Sequence, residues 1–210
     1  MTALESRQPL LIACGALAGD LRAVLAHDGL ESAVEVRYLP ANLHNTPQRI
    51  IPEMRPLLQE AVEAGRDVFV AYADCGTGGL LDAMLAEFPG VQRLPGAHCY
   101  EFFAGAEQFA AMHEQRLGTF YLTDFLAKHF DALIWRGLGM DRAAELRDMY
   151  FANYTTLVLL AQTDDASVTA QAAAAAAQLG LDFERRFVGR AGIAAPLQQW
   201  AVSINRGVKV

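Results

Sequence analysis

Residues 66–79, RDVFVAYADCGTGG, decide the fold. The run from Val68 to Ala73 is continuously apolar, rich in β-branched and aromatic residues, and ends in a glycine-rich turn. A strand that is apolar on both sides belongs in a parallel sheet covered by helices on both faces. Working outward, residues 46–65 (TPQRIIPEMRPLLQEAVEAG) read as a helix with Thr46 as N-cap and Pro47 at its first position. Pro52 and Pro56 imply a kink or a late true start. Residues 78–88, GGLLDAMLAEF, read as the next helix.

The same alternation runs through the rest of the chain. PLLIACGAL (9–17) and AVEVRYLP (33–40) read as strands around the helix DLRAVLAHDGL (20–30). VQRLPG (91–96) and GTFYLTD (118–124) are short extended pieces flanking one long helix over 100–116. Two helical stretches follow, at 125–139 and 142–154. A strand–helix–strand unit comes next: TTLVLLAQTDD, ASVTAQAAAAAAQLG and LDFERRFVG. Within it, Asp165 is best placed as the cap of the alanine-rich helix. A last helix begins near Ile193 and frays toward the C-terminus. This pattern predicts a three-layer α/β sandwich with a mostly parallel, Rossmann-like sheet, formed by one domain over residues 1–210. The first and last strand–helix–strand units hint at two pseudo-equivalent halves.

Composition narrows the function. A formal charge of −7 and a pI near 5.2 argue against nucleic acid or an anionic membrane surface as partner. The N-terminal apolar run from Pro9 to Ala18 is shorter than the roughly 20 residues of a membrane span and lacks the features of a signal peptide. A cytoplasmic location is expected, where three cysteines are not a disulfide framework.

All three cysteines fall where a strand hands over to a turn or helix. Cys14 precedes Gly15, Cys75 precedes Gly76, and Cys99 follows VQRLPG at a helix start. The carboxyl ends of parallel strands share one edge, where such sheets bind ligands. Cys14, Cys75 and Cys99 are therefore candidate metal ligands, with His44 of the loop LPANLHNTP as a fourth. Gly15, Gly76, Gly78 and Gly79 free backbone amides to approach an anion or a cluster sulfide. Glu101 and His98, beside Cys99, are candidate catalytic groups, although Glu101 also suits the first turn of a helix. His27, His113 and His129 fall on helices, where exposure is the default. Cysteines packed as small core residues remain the plain alternative. No Walker sequence, GxGxxG, GxSxG or CxxC pair is present.

The ordered blocks IACG, LPANLH, YADCG and GAHCYEFFAG, followed by GTFYLTDFL, resemble the domain of unknown function 1638 family from about Leu11 to Phe125, and more loosely beyond. The resemblance carries the family's Cys, Leu-His, Tyr-x-x-Cys-Gly and Cys blocks onto Cys14, His44, Cys75 and Cys99. His98 and Tyr100 depart from the family's usual Asp and aliphatic residue around the third cysteine. Members are often encoded near corrinoid-dependent methyltransferases, so the resemblance implies methyl-group metabolism.

The leading expectation is a metal-binding protein, with zinc slightly ahead of a [4Fe–4S] cluster. It would be an enzyme of one-carbon metabolism that transfers or removes a methyl group on a small-molecule substrate. A non-catalytic accessory protein for a corrinoid protein or methyltransferase is the second. Metal-free chemistry, with Cys75 as nucleophile and His44 as base, is the third.

Overall fold

The computed structural model describes residues 8–205. The extreme N-terminal residues and the tail expected to fray beyond residue 205 lie outside them. The chain divides into two compact units, one built from residues up to Phe102 together with those from Ala191 onward, the other from Phe103–Arg190. The α/β class and the parallel strands are as expected, with the strands distributed over two sheets.

The first unit holds a four-stranded parallel sheet in the order β2-β1-β3-β4. Its strands are β1 (Leu10–Cys14), β2 (Glu35–Leu39), β3 (Val68–Ala71) and β4 (Gln92–Arg93). The inner strands β1 and β3 are buried along their whole length, which is why their sequences are apolar without alternation. Helices α1 (Ala18–His27) and α9 (Ala191–Asn205) pack on each other, as do α2 (Ile50–Glu63) and α3 (Leu80–Leu85). The Phe69 ring meets Trp200 of α9 at 5.5 Å between centroids. Side chains alternate along a strand, so Val70 and Tyr72 point to the opposite face, where α2 packs on β1 and β3.

Two local expectations shift. The helix after Thr46 starts late, as the prolines imply: short 3₁₀ turns cover Ala41–Asn45 and Pro47–Arg49, and α2 begins at Ile50. Thr46 makes no side-chain cap bond. The single helix expected over 100–116 is two, α4 (Cys99–Ala104) and α5 (Ala106–Gln115). Gly105 separates them, at φ 84°, ψ 137°, a conformation open to glycine and strained for other residues.

The second unit holds the parallel sheet β5-β6-β7, with β5 Thr119–Thr123, β6 Thr156–Ala161 and β7 Asp182–Phe187. Its helices are α6 (Asp124–Lys128), α7 (Glu145–Phe151) and α8 (Ala166–Leu179), with a π-helical turn at Asp131–Trp135. Ala172, Ala175 and Ala176 are buried where α8 meets β6 and β7. Small side chains there let the helix axis approach the sheet closely, which explains the alanine run. Asp165 caps α8 by accepting from the Ser167 amide at 2.8 Å. Buried Asp124 and Gln162 bond reciprocally, Asp124 N–H to Gln162 Oε1 at 2.8 Å and Gln162 N–H to Asp124 Oδ1 at 3.1 Å. Their polar atoms are therefore satisfied within the fold.

Candidate functional site

In the first sheet the chain leaves β1 to one side for β2, then crosses back to β3 on the other. The boundary between β1 and β3 is thus a topological switch point, and the crevice beyond the carboxyl ends of such strands is where open α/β sheets bind ligands. Cys14 is the last residue of β1, and Cys75 lies just after β3. Cys99 reaches the same end by a different route. Beyond β4, residues 94–97 continue alongside β3 and the turn that follows it. Leu94 N–H donates to Val70 O (3.0 Å), Asp74 N–H to Gly96 O (3.1 Å) and Cys75 N–H to Ala97 O (2.8 Å). Arg93 braces this stretch, donating to Leu94 O at 2.6 Å and to Asp82 Oδ2 at 2.8 Å. Two residues after Ala97, Cys99 opens α4.

The glycines of these motifs work by backbone shape. A Cβ at Gly15 would stand 3.0 Å from Leu39 O and 3.3 Å from Ala41 N. Only glycine lets the loop that carries His44 cross so close behind Cys14. Gly76 lies at φ 82°, and a Cβ there would meet Pro47 at 3.5 Å, so the turn after β3 packs on the same loop. The amides of Gly78 and Gly79 donate to Asp74 Oδ2 and Oδ1, each at 2.9 Å, and the Thr77 hydroxyl also donates to Asp74. Burial works against the charge on Asp74. Even so, the donors from Thr77, Gly79 and Gly78, with Arg93 nearby, hold its carboxyl below the usual range.

Asp74 thereby fixes the turn on one side of Cys75, and Cys75 itself stands at φ 52°. Among the described residues it is the only non-glycine with a positive φ. An L-residue there costs about 1–3 kcal/mol, and such conformations cluster at functional sites.

The thiols act on one another. Burial pushes the Cys75 thiol up to about 12, and Cys14 adds to the shift. Burial raises Cys99 well above the ordinary thiol value, reinforced by Cys75 and then Cys14. Burial likewise raises Cys14, opposed by the Ala16 amide and the Tyr72 hydroxyl. Burial thus favours the neutral thiol over the thiolate at each of the three. Burial, then the neighbouring His98, lowers the His44 pKa and keeps its imidazole neutral. A neutral imidazole is the form that ligates metal. Among the described residues, no group of three or more His, Cys, Asp or Glu side chains is arranged to hold a metal ion as the structure stands. The sulfurs share one end of the sheet without closing into a ligand shell.

Glu101 is committed elsewhere: its Oε2 accepts from the Ala97 amide at 2.7 Å, tying the first turn of α4 to the stretch before it. The His98 ring lies 5.6 Å from that of Tyr100. His27, His113 and His129 are exposed. Tyr72, the tyrosine of the Tyr-x-x-Cys-Gly block, belongs to the site by position. Ala13 pairs with Ala71 in register, so Cys14 at the end of β1 and Tyr72 just past β3 are the next neighbours along that ladder. Beside the turn, a groove of about 430 Å³ runs along α2 and α3, lined by Pro47, Ile51, Leu80, Met84 and the Gly76–Thr77 backbone.

Among the described residues, no helix is long and apolar enough to cross a membrane. The chain belongs to the family described as Protein of unknown function (DUF1638), whose model matches residues 38–195. The match includes His44, Cys75 and Cys99, and Cys14 lies upstream of it. No curated protein and no solved structure matches the chain.

Proposed function

We propose that this protein binds a metal through Cys14, Cys75 and Cys99 at the switch point of its first sheet, and that it acts in methyl-group metabolism. The observation that carries the metal reading is the placement of Cys14, Cys75 and Cys99 at one end of the first sheet, with Cys75 held at a positive φ. A zinc ion, completed by His44 or a water, suits this donor set best; a [4Fe–4S] cluster on the three cysteines is the next choice. Either would supply Lewis-acid chemistry and keep a bound sulfur deprotonated at neutral pH. The chain's own contribution is placement. Asp74 holds the turn that presents Cys75, Glu101 ties down the segment that presents Cys99, and Gly15 admits the His44 loop. The groove beside Gly76 offers room for a small, largely apolar substrate. The methyl-group part of the proposal rests on the family resemblance.

The high thiol pKa of Cys75 argues against the metal-free nucleophile, since the thiolate is the attacking form. Iodoacetamide separates the two readings. One fast-reacting thiol favours a nucleophile, whereas three thiols protected until a chelator is added favour a metal.

A second reading, an accessory protein for a corrinoid methyltransferase, draws on α7, where Met149 and Tyr150 are 66% and 41% exposed. Phe102, Phe103 and Phe109 of α4 and α5 are buried in the core and offer no such surface. Accessory status is tested by metal-loaded protein that binds a corrinoid methyltransferase yet turns over no methylated amine.

A further inference from the structure

Tyr72 is 2% exposed, and its hydroxyl is buried without a hydrogen-bond partner. Buried hydroxyls are normally satisfied, because an unmet donor forfeits its bond to water and gains nothing in return. Phenylalanine would fill the same space at no such cost, and β3, which leads into Tyr72, already buries Phe69. The hydroxyl therefore calls for an explanation outside packing.

Its surroundings supply one. The strand register sets Tyr72 beside Cys14. The hydroxyl and the Cys14 thiol shift each other, with Cys75 also within reach. A neutral thiol is a weak acceptor, whereas a thiolate is a strong, charge-assisted one. A Cys14 sulfur bound to metal as the thiolate would be the strong acceptor that the buried hydroxyl lacks.

We infer that Tyr72 is a positioning residue of the proposed metal site, whose hydroxyl donates to the Cys14 sulfur when that sulfur is a metal-bound thiolate. The inference rests on the metal reading above. Such a bond offsets part of the charge of three thiolates, orients the Cys14 sulfur and draws electron density from it, the usual ways in which groups behind the ligands tune a metal.

The test uses the full-length protein and Tyr72→Phe, with zinc affinity measured by chelator competition and cobalt(II) as the spectroscopic probe. The variant should bind zinc about 10–100-fold more weakly. Its thiolate-to-cobalt charge-transfer band should move to lower energy, because the sulfur has lost its donor. Without metal, the variant should melt no lower than the parent, since it loses only an unsatisfied hydroxyl. Parental zinc affinity together with an unmoved cobalt band would overturn the inference. So would a variant that fails to fold or melts lower when metal-free, because the hydroxyl would then have a structural partner. If the parent protein itself takes up neither ion, the metal reading falls first and Tyr72 with it.

Discussion

Cys75 concentrates the argument at the scale of single residues. Its φ of 52° is tolerable for glycine and costly for any other side chain. Cys75→Gly should therefore relieve backbone strain: the metal-free variant should melt no lower than the parent, while metal binding is lost. Cys75→Ser should lose metal and keep the strain. Calorimetry of both variants, with metal analysis, checks the pair. Gly15 gives a prediction of the opposite sign. Its Cβ would stand 3.0 Å from the Leu39 carbonyl, so Gly15→Ala should destabilise by about 1–3 kcal/mol, read from urea unfolding. Both glycine-flanked cysteines were visible in the sequence as strand ends. The backbone angle of Cys75 was not, because a Cys-Gly pair is compatible with several turns and only the bonds of Asp74 and Ala97 select this one.

At the scale of elements, the continuous apolar runs at β1, β3 and β6 identified themselves, because strands buried on both faces leave no polar position to confuse with a helix. The cap of α8 was equally legible, since a short acidic side chain before an alanine run has few other uses. Asp165→Ala should cost about 1 kcal/mol in chemical denaturation. The break at Gly105 was hidden by the helical spacing on either side of it, which a single glycine does not disturb in sequence. Tyr72 stood in view within the Tyr-x-x-Cys-Gly block, but its relation to Cys14 was hidden for another reason. An aromatic residue in a buried strand reads as core, and only the register with Cys14 reveals its neighbour. The turn after β3 adds a pH prediction. The Asp74 carboxyl is held below its usual range, so its contribution is present above the ordinary carboxylate pKa and is lost as pH falls through the lowered one. Asp74→Asn should flatten that acid limb of the melting curve and loosen the Cys75 turn.

For the whole molecule, the thiols set an alkaline limit. The folded Cys75 titrates near 12 against an ordinary value of 9.0. Both states bind the proton below 9.0; above it the unfolded chain gives up the proton while the folded one retains it. Metal-free protein should accordingly lose stability as pH rises from about 9 to 12, a trend that Cys75→Ser weakens. Metal affinity runs the other way near neutrality. Each thiol must release its proton on binding, so affinity should rise with pH up to about tenfold per unit for each proton released. The placement of Cys14 and Cys75 at strand carboxyl ends followed from the alternation of elements, whereas the strand order that makes a switch point there and the division into two sheets did not, because alternation carries no strand order and continues through the boundary unchanged.

The central claim is that three distant cysteines serve one centre. Zinc and iron should be measured in anaerobically purified parent protein and in Cys14→Ser, Cys75→Ser and Cys99→Ser, alongside visible spectra. The account predicts one zinc per chain, or about four irons with a visible absorption band, lost in all three variants alike. Parent protein free of both metals, or any one of the three variants retaining the full complement, would contradict it.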